Sequence, residues 1–275
     1  MHSKGRKIHV IIATMLSLLC PGLGHLYAGH IARGAGFCAF VWVWIFSFVA
    51  LGFVHSFPGL LALLLGELLI LAAATLDAFR CAQRAFPSGQ EMKQWAQRLC
   101  AVAIGVAAQF GLQTAFLKWT PSRIYVAAYD SMRPAIRPGD RIVADMSFFS
   151  HQAPARGDIV VLKSPRTGNL MFERVIGVGG DTLESKGARI ILNGLPLAEP
   201  YAVRSSVDGQ YSPWLVQFDR MTVPSGKFFV MGDDRDLSWD SRSSDFGPVG
   251  AESFRAKALY ICWSSTYSRI GKRLE

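Results

Sequence analysis

Hydrophobic residues are distributed differently in the two halves of the chain. Long, nearly uncharged apolar runs occupy residues 35–57, 59–79 and 99–117, and each is long enough to cross a bilayer as a helix. From residue 118 onwards, the apolar residues occur in short runs separated by turn sequences. The pattern therefore predicts an α-helical membrane region of three transmembrane helices over residues 35–117, followed by a globular region of about one domain.

The second half has the pattern of a mostly-β protein. Turn signals such as RPGD, GVGGD and LNGLP separate seven short runs rich in Val, Ile and aromatic residues: RIYVAAY, DRIVAD, DIVVLK, LMFERVIGV, ARIILN, KFFVMG and AKALYICW. No helical periodicity competes over these lengths. We therefore predict that residues 118–275 form a domain of antiparallel sheets with a barrel-like or sandwich core.

The first apolar segment differs from the three predicted spans. The run IHVIIATMLSLLC is followed by PGLGHLYAG, in which Pro21, Gly22 and Gly24 should break a helix. No Ala-x-Ala site follows the apolar run, so we expect the segment to be retained rather than cleaved as a signal peptide. We predict that residues 1–34 form a re-entrant or interfacial segment.

Basic residues predict the orientation in the membrane. They cluster before and after the first segment and in a loop near residues 80–98 between the second and third spans: Lys4, Arg6, Lys7, Arg33, Arg80, Arg84, Lys93 and Arg98. The positive-inside rule places these clusters in the cytoplasm. The last span then leads outward, so we expect an integral protein of the bacterial cytoplasmic (inner) membrane with its β domain on the extracytoplasmic side.

Composition excludes several other classes of function. The net charge of +9 arises partly from the short basic loops, which would contact anionic lipid. No basic stripe with interleaved aromatic residues is present, so we expect no nucleic-acid partner. The five cysteines show no disulfide framework or metal-ligand spacing, and the β half contains one histidine and one cysteine. We expect no metal and no organic cofactor.

Three stretches of the β half carry candidate chemistry. AYDSMRPAIRPGD, at residues 128–140, places Ser131 in a tight turn after a strand. FERVIGVGGD, at residues 172–181, reads as a buried strand that enters a glycine turn. MGDDRDLSWDSR, at residues 231–242, holds four acids and two arginines. Taken singly, they read as a turn serine, a hairpin end and a solvated acidic loop.

In this order and spacing, the three stretches resemble the motifs of the type I signal peptidases, the membrane-bound serine endopeptidases that remove signal peptides. The resemblance covers roughly residues 122–264. It implies that Ser131 is the nucleophile and that its backbone N–H helps to form the oxyanion hole. It also implies supporting positions around the site: Tyr129, Met132, Pro134, Arg174, Asp181, Asp233, Arg235, Asp236, Ser238, Asp240 and Arg242.

The sequence departs from the family pattern at the position of the general base. The family's general base is a lysine just before the arginine that corresponds to Arg174, and this chain has Glu173 there. A serine hydroxyl is a weak nucleophile without an adjacent base. An unperturbed carboxylate, with a pKa of about 4.3, is a much poorer proton acceptor for a hydroxyl than a desolvated lysine.

Two hypotheses follow. In the first, the protein is a signal-peptidase-like serine endopeptidase that cleaves exported preproteins after small residues, with Glu173 at the position of the base. The signal peptide would add as a strand beside residues 124–130. In the second, the protein is a catalytically impaired homologue that binds peptides or a membrane partner. The sequence leaves the oligomeric state open.

Overall fold

A computed structural model of the protein describes residues 2–85, 92–187, 189–204, 206–207, 210–211 and 217–274. The chain divides into two compact units. Residues 1–54 and 58–120 form a helical unit, and residues 55–57 and 121–275 form a β unit. This architecture confirms the predicted fold class, a region of apolar helices followed by a mostly-β domain of antiparallel sheets.

Within its described residues, the helical unit contains five α-helices, and three of them are long and apolar enough to cross a membrane. The helices are α1 (His2–Leu19), α2 (Leu23–Tyr27), α3 (Ile31–Ala50), α4 (Phe57–Ala85) and α5 (Met92–Trp119). The candidate spans are Ile31–Ala50, Phe57–Ala85 and Gln97–Phe116. The basic loop predicted near residues 80–98 includes residues 86–91, which lie outside the described residues.

The sequence PGLGHLYAG forms a short buried helix rather than a loop. Helix α1 ends at Leu19, Pro21 and Gly22 form the turn, and every residue of α2 is buried. At Gly24, an added Cβ would lie 2.0 Å from the carbonyl oxygen of Ala13. A side chain there would force α1 and α2 apart, which explains why the segment needs this glycine. The predicted re-entrant or interfacial position of residues 1–34 remains a prediction.

The seven predicted strand runs all contain strands of the β unit. They correspond to β1 (Ser122–Val126), β2 (Arg141–Asp145), β3 (Ile159–Lys163), β4 (Leu170–Val178), β6 (Arg189–Leu192), β11 (Lys227–Met231) and β13 (Phe254–Trp263). The sequence did not predict six further strands and one short helix: β5 (Thr182–Lys186), β7 (Leu195–Pro196), β8 (Ser206–Val207), β9 (Gln210–Tyr211), β10 (Met221–Thr222), β12 (Val249–Gly250) and α6 (Phe148–His151).

The large sheet is antiparallel and has the order β1-β2-β13-β3-β4-β11-β12. Its central strands are covered on both faces, which explains their continuous apolar runs. In β3, Ile159 and Val161 pack into one core cluster, while Val160 and Leu162 pack into another. The first cluster also holds residues of the Ser131 loop, so the core fixes that loop directly.

A second sheet, with the order β10-β5-β6-β7, packs against one end of the large sheet. Ile176, Phe229 and Met231 of the large sheet share a buried cluster with Leu183 and Ile190 of the smaller one. A third sheet pairs β8 with β9. The smaller sheet therefore supports β4 and β11, the two strands that carry or precede the second and third sequence motifs.

Candidate active site

Ser131 lies in a loop that connects β1 to β2 and is closed by backbone hydrogen bonds. The N–H of Ala127 donates to the carbonyl of Asp140 at 3.0 Å, and the N–H of Gly139 donates to the carbonyl of Ala127 at 2.8 Å. Met132 is fully buried in the core beneath the loop. Ser131 itself is 7% exposed, so its position is fixed while its side chain retains some access to solvent.

Arg269, near the C-terminus, braces this loop. Its guanidinium donates to the carbonyls of Pro134 and Ala135 at 2.9 and 2.8 Å, and to Oδ2 of Asp140 at 2.6 Å. Burial opposes ionisation of Asp140, but hydrogen bonds from Arg269, Ser264 and the backbone N–H of Arg137 hold the pKa of that carboxyl below its ordinary value. The sequence analysis missed Arg269, because nothing in its spacing links it to a loop so far away along the chain.

Replacing Arg269 should destabilise the loop strongly. We expect Arg269→Ala to lower the free energy of unfolding by about 3–5 kcal/mol, because it removes the cation that pairs with the buried carboxylate of Asp140. The neighbouring exposed residue provides a control, and Lys272→Ala should change the free energy by less than about 0.5 kcal/mol. Denaturant unfolding of the full-length protein in detergent measures both. Equal effects of the two substitutions would contradict this role.

Glu173 is completely buried in the middle of β4. The Ser238 hydroxyl lies 3.2 Å from Oε1 and 3.3 Å from Oε2 of its carboxyl group. Burial raises the pKa of Glu173 well above its ordinary value, and the negative charge of Asp240 raises it further, while Ser238 and Arg242 oppose the shift. The carboxyl group therefore holds its proton far more tightly than an exposed glutamate does.

The acidic motif comes into direct contact with the Ser131 loop. The N–H of Asp234 donates to the carbonyl of Ser131 at 2.9 Å. At Gly232, an added Cβ would lie 2.5 Å from that same carbonyl oxygen and 2.4 Å from Cβ of Ser238. The glycine thus leaves room for the Ser131 carbonyl oxygen and the Ser238 side chain at one backbone position. Since Ser238 also contacts Glu173, the structure brings Ser131, Ser238 and Glu173 into one site.

Two bidentate ion pairs hold the acidic motif in place. Arg174 donates to both carboxylate oxygens of Asp233, at 2.8 and 2.7 Å, and Arg242 donates to both oxygens of Asp240 at the same two distances. All four side chains are almost fully buried. Such pairs fix geometry more than they add stability, because burial of the charges offsets much of their attraction.

Three further predicted residues, Arg235, Asp236 and Asp181, interact with other charged side chains of the β unit. Arg235 is buried, donates to the carbonyl of Gly232 at 2.9 Å and pairs with Glu199, a buried acid that the sequence analysis missed. Asp236 is half-buried, and its charge helps to keep Arg242 ionised. Asp181 supports the fold where β4 ends. Burial opposes its ionisation, but hydrogen bonds from Arg156 and its neighbours lower its pKa to about 2.

Two cavities flank Ser131. The smaller one, about 20 Å³, is bordered by apolar residues that include Ala128, Met132 and Ile136. The larger one, about 230 Å³, is lined by residues that include Arg166, Leu237 and Trp239. Tyr129, which is 52% exposed, borders both cavities together with Ser131. Both cavities therefore leave space for side chains of a bound peptide next to Ser131.

Comparison with known proteins indicates the family to which the chain belongs. Residues 92–263 match the family model described as "Signal peptidase, peptidase S26". A signal peptidase I of Leptolyngbya laminosa is 29% identical over 181 residues, which cover 62% of this chain and 80% of the relative. Signal peptidase I U of Bacillus subtilis (strain 168) is 33% identical over 129 residues, covering 45% of this chain and 69% of the relative.

A solved structure is also similar in sequence over part of the chain. The crystal structure of a signal peptidase I from Enterococcus faecalis V583 is 32% identical, covers 38% of this chain and 97% of that chain, and has a TM-score of 0.32. The family match extends over more than half of this chain. The chain belongs to the signal peptidase family, peptidase S26, a family of serine endopeptidases. The match confirms the predicted family and the predicted signal peptidase function, and the apolar helices indicate a membrane-anchored protein.

Proposed function

We propose that Ser131 is the nucleophile of this signal peptidase and that Glu173, once ionised, is its general base. The Ser131 hydroxyl oxygen attacks the carbonyl carbon of the scissile bond and gives its proton to the base. The acyl-enzyme then forms as the amine leaves with a proton, and water hydrolyses it. The observation that carries the proposal is that the Ser131 carbonyl oxygen and the Ser238 side chain meet at Gly232, while the Ser238 hydroxyl contacts the Glu173 carboxyl group.

The backbone N–H of Ser131 supports a role for this residue in the oxyanion hole. Among the described residues, the N–H of Ser131 donates to no carbonyl or side chain. An N–H left unpaired in a rigid loop is available to the negative charge that develops on the carbonyl oxygen of the substrate. The Tyr129 hydroxyl is a second candidate donor, because Tyr129 borders both cavities beside Ser131.

The preprotein binds as an extended strand next to the nucleophile. Strand β1 is at the edge of the large sheet, and within the described part of the chain it pairs only with β2. Its outer edge presents unpaired N–H and carbonyl groups to a peptide lying beside residues 124–130. This arrangement places the scissile bond at the end of β1, where the Ser131 loop begins.

Membrane placement agrees with substrates that are exported. The protein is anchored by apolar helices, and the positive-inside rule puts its β domain on the extracytoplasmic side of the bacterial inner membrane. Signal peptides are themselves apolar segments that enter this membrane. The substrate class is therefore the signal peptide of a preprotein, with the lipid bilayer as the second partner.

A second candidate function is peptide binding without cleavage. The observation that favours it is the complete burial of Glu173, since a carboxyl group that keeps its proton cannot accept another. The groove beside β1 would still bind an extended peptide. The two functions differ in one outcome, the cleavage of a bound preprotein.

The size of the smaller cavity predicts specificity for small side chains. A space of about 20 Å³ accepts a methyl group but not a branched side chain of four carbons. We expect a preprotein with Ala before the scissile bond to be cleaved, and its counterpart with Leu there to have a kcat/KM lower by at least about 100-fold. Gel assays with the two preproteins measure this ratio. Equal cleavage of both would overturn the proposed subsite.

A further inference from the structure

A cluster of nitrogen, oxygen and sulfur ligands lies within the helical unit, outside the peptidase site. His25 Nε2 is 3.0 Å from Asp77 Oδ2, and Cys81 Sγ is 3.9 Å from the same oxygen. These three atoms all lie within 4.8 Å of one another. We propose that His25, Asp77 and Cys81 bind one divalent transition-metal ion of the zinc type.

The geometry of the three atoms approaches that of a zinc site. Tetrahedral zinc, at about 2.0 to 2.3 Å from its ligand atoms, holds those atoms about 3.3 to 3.8 Å apart. Asp77 and Cys81 are four residues apart on α4, so both side chains project from one face of the helix, a turn apart. The ligand atoms therefore lie within about 1 Å of the separations that one zinc ion requires.

The buried His25 side chain is not fully hydrogen-bonded by the residues around it. It is fully buried and is stacked on Phe37, with a ring separation of 5.0 Å. Its Nδ1 atom has no hydrogen-bond partner among the described residues, and the same is true of the buried Nε2 atom of His30 nearby. Buried polar atoms are rarely left unpaired. A water molecule would take the fourth coordination position.

The guanidinium group of Arg33 lies next to two of the proposed ligand atoms, where the positive charge of the metal ion would lie. Its Nη1 atom is 3.2 Å from Cys81 Sγ and 3.5 Å from Asp77 Oδ2. The Arg33 side chain is 59% exposed, so it can move into solvent when an ion arrives. A cavity of about 310 Å³, bordered by Arg33 and Asp77, gives the ion a route to the site.

The sequence analysis found no metal spacing because the ligands are far apart along the chain. His25 and Asp77 are separated by 52 residues. Only the packing of the buried α2 helix brings them together. A bound ion would therefore hold the PGLGHLYAG segment against α4, which gives the site a structural role in the helical unit.

Zinc binding by the full-length protein in detergent tests the proposal. After removal of metal with a chelator and dialysis against Zn²⁺, we expect one tightly held equivalent by elemental analysis. Cys81→Ser and His25→Ala should each raise the Kd for Zn²⁺ by more than about 100-fold, since even outer-shell changes cost 10- to 100-fold. Cys100→Ser, at an exposed cysteine, is the matched control and should retain the equivalent.

Two further measurements exclude simpler explanations. With Co²⁺ as the probe, wild type should show a thiolate-to-cobalt charge-transfer band that Cys81→Ser lacks. Arg33→Gln should bind Zn²⁺ more tightly than wild type, because it removes a competing cation while leaving all three ligands in place. The proposal is overturned if wild type holds no stoichiometric zinc, if Cys81→Ser binds it as well as wild type does, or if Arg33→Gln weakens binding.

Discussion

Ser131→Ala is expected to abolish cleavage of a preprotein, with a loss in kcat of at least about 10⁴-fold. The substitution removes the oxygen that attacks the scissile carbonyl, and the remaining groups of the site supply only the residual catalysis that an oxyanion hole and substrate binding give. The change removes one hydroxyl from a loop held by Asp140, Arg269 and the core, so the fold should be unaffected.

The control for this prediction is a turn serine away from the site. Ser225→Ala lies in the exposed turn before β11 and should retain full activity. Binding of a preprotein to Ser131→Ala should also persist, because the β1 edge and both cavities remain. Cleavage by Ser131→Ala at the wild-type rate would show that another group is the nucleophile.

Glu173→Lys is expected to raise kcat/KM at about pH 7 by at least about 100-fold, the range that a well-placed general base supplies. In the wild type, burial raises the pKa of Glu173, so its carboxyl group is protonated to a greater extent than an exposed glutamate at the same pH, and a protonated carboxyl cannot accept the serine proton. The surroundings favour a cation there, since the charges of Asp240 and Asp233 both oppose ionisation of Glu173. Cleavage assays at fixed pH measure the gain.

Two variants distinguish the role of Glu173 as the general base from a general effect of charge. Glu173→Gln keeps the shape of the side chain and can never ionise, so it should be inactive at every pH. Glu184→Lys makes the same substitution in the smaller sheet and should leave activity unaltered. If Glu173→Gln cleaves as wild type does, Glu173 is not the base.

The same pKa shift connects catalysis to stability. The pKa of Glu173 is higher in the folded protein than in the unfolded chain, so its contribution to stability is fully present below the unfolded value of about 4.5 and is lost as pH rises through the folded value. The ionised form needed for cleavage is thus the form that the fold tolerates least. Conditions that activate the enzyme should also lower its free energy of unfolding.

Local sequence patterns predicted most of the fold. Alternating or continuous apolar runs are direct consequences of burial on one or both faces of a sheet, so β3 and β4 could be recognised without a structure. Strand β5, with the sequence TLESK, was missed because only Leu183 in it is fully buried and its other side chains are polar. Strands of two residues, such as β7 and β12, are formed by pairing and carry no periodicity.

The site was only partly predictable for a similar reason. Ser131, Ser238 and the acidic motif were found through three local stretches of sequence. Arg269 and Glu199 each act through a partner that is distant along the chain, and no local pattern marks such a contact. The burial of Glu173, which decides its protonation, depends on the sheets packed around β4 and could not be derived from its neighbours in sequence.

The pH dependence of preprotein cleavage by the full-length protein in detergent tests the central claim most directly. The rate should be measured from about pH 5 to about pH 10, the range in which a buried carboxyl with a raised pKa titrates. We predict that kcat/KM rises with pH and levels off above the folded pKa of Glu173, and that Ser131→Ala and Glu173→Gln are inactive throughout. An absence of cleavage by wild type at every pH, with Glu173→Lys active on the same substrate, would contradict the account and identify a peptide-binding homologue.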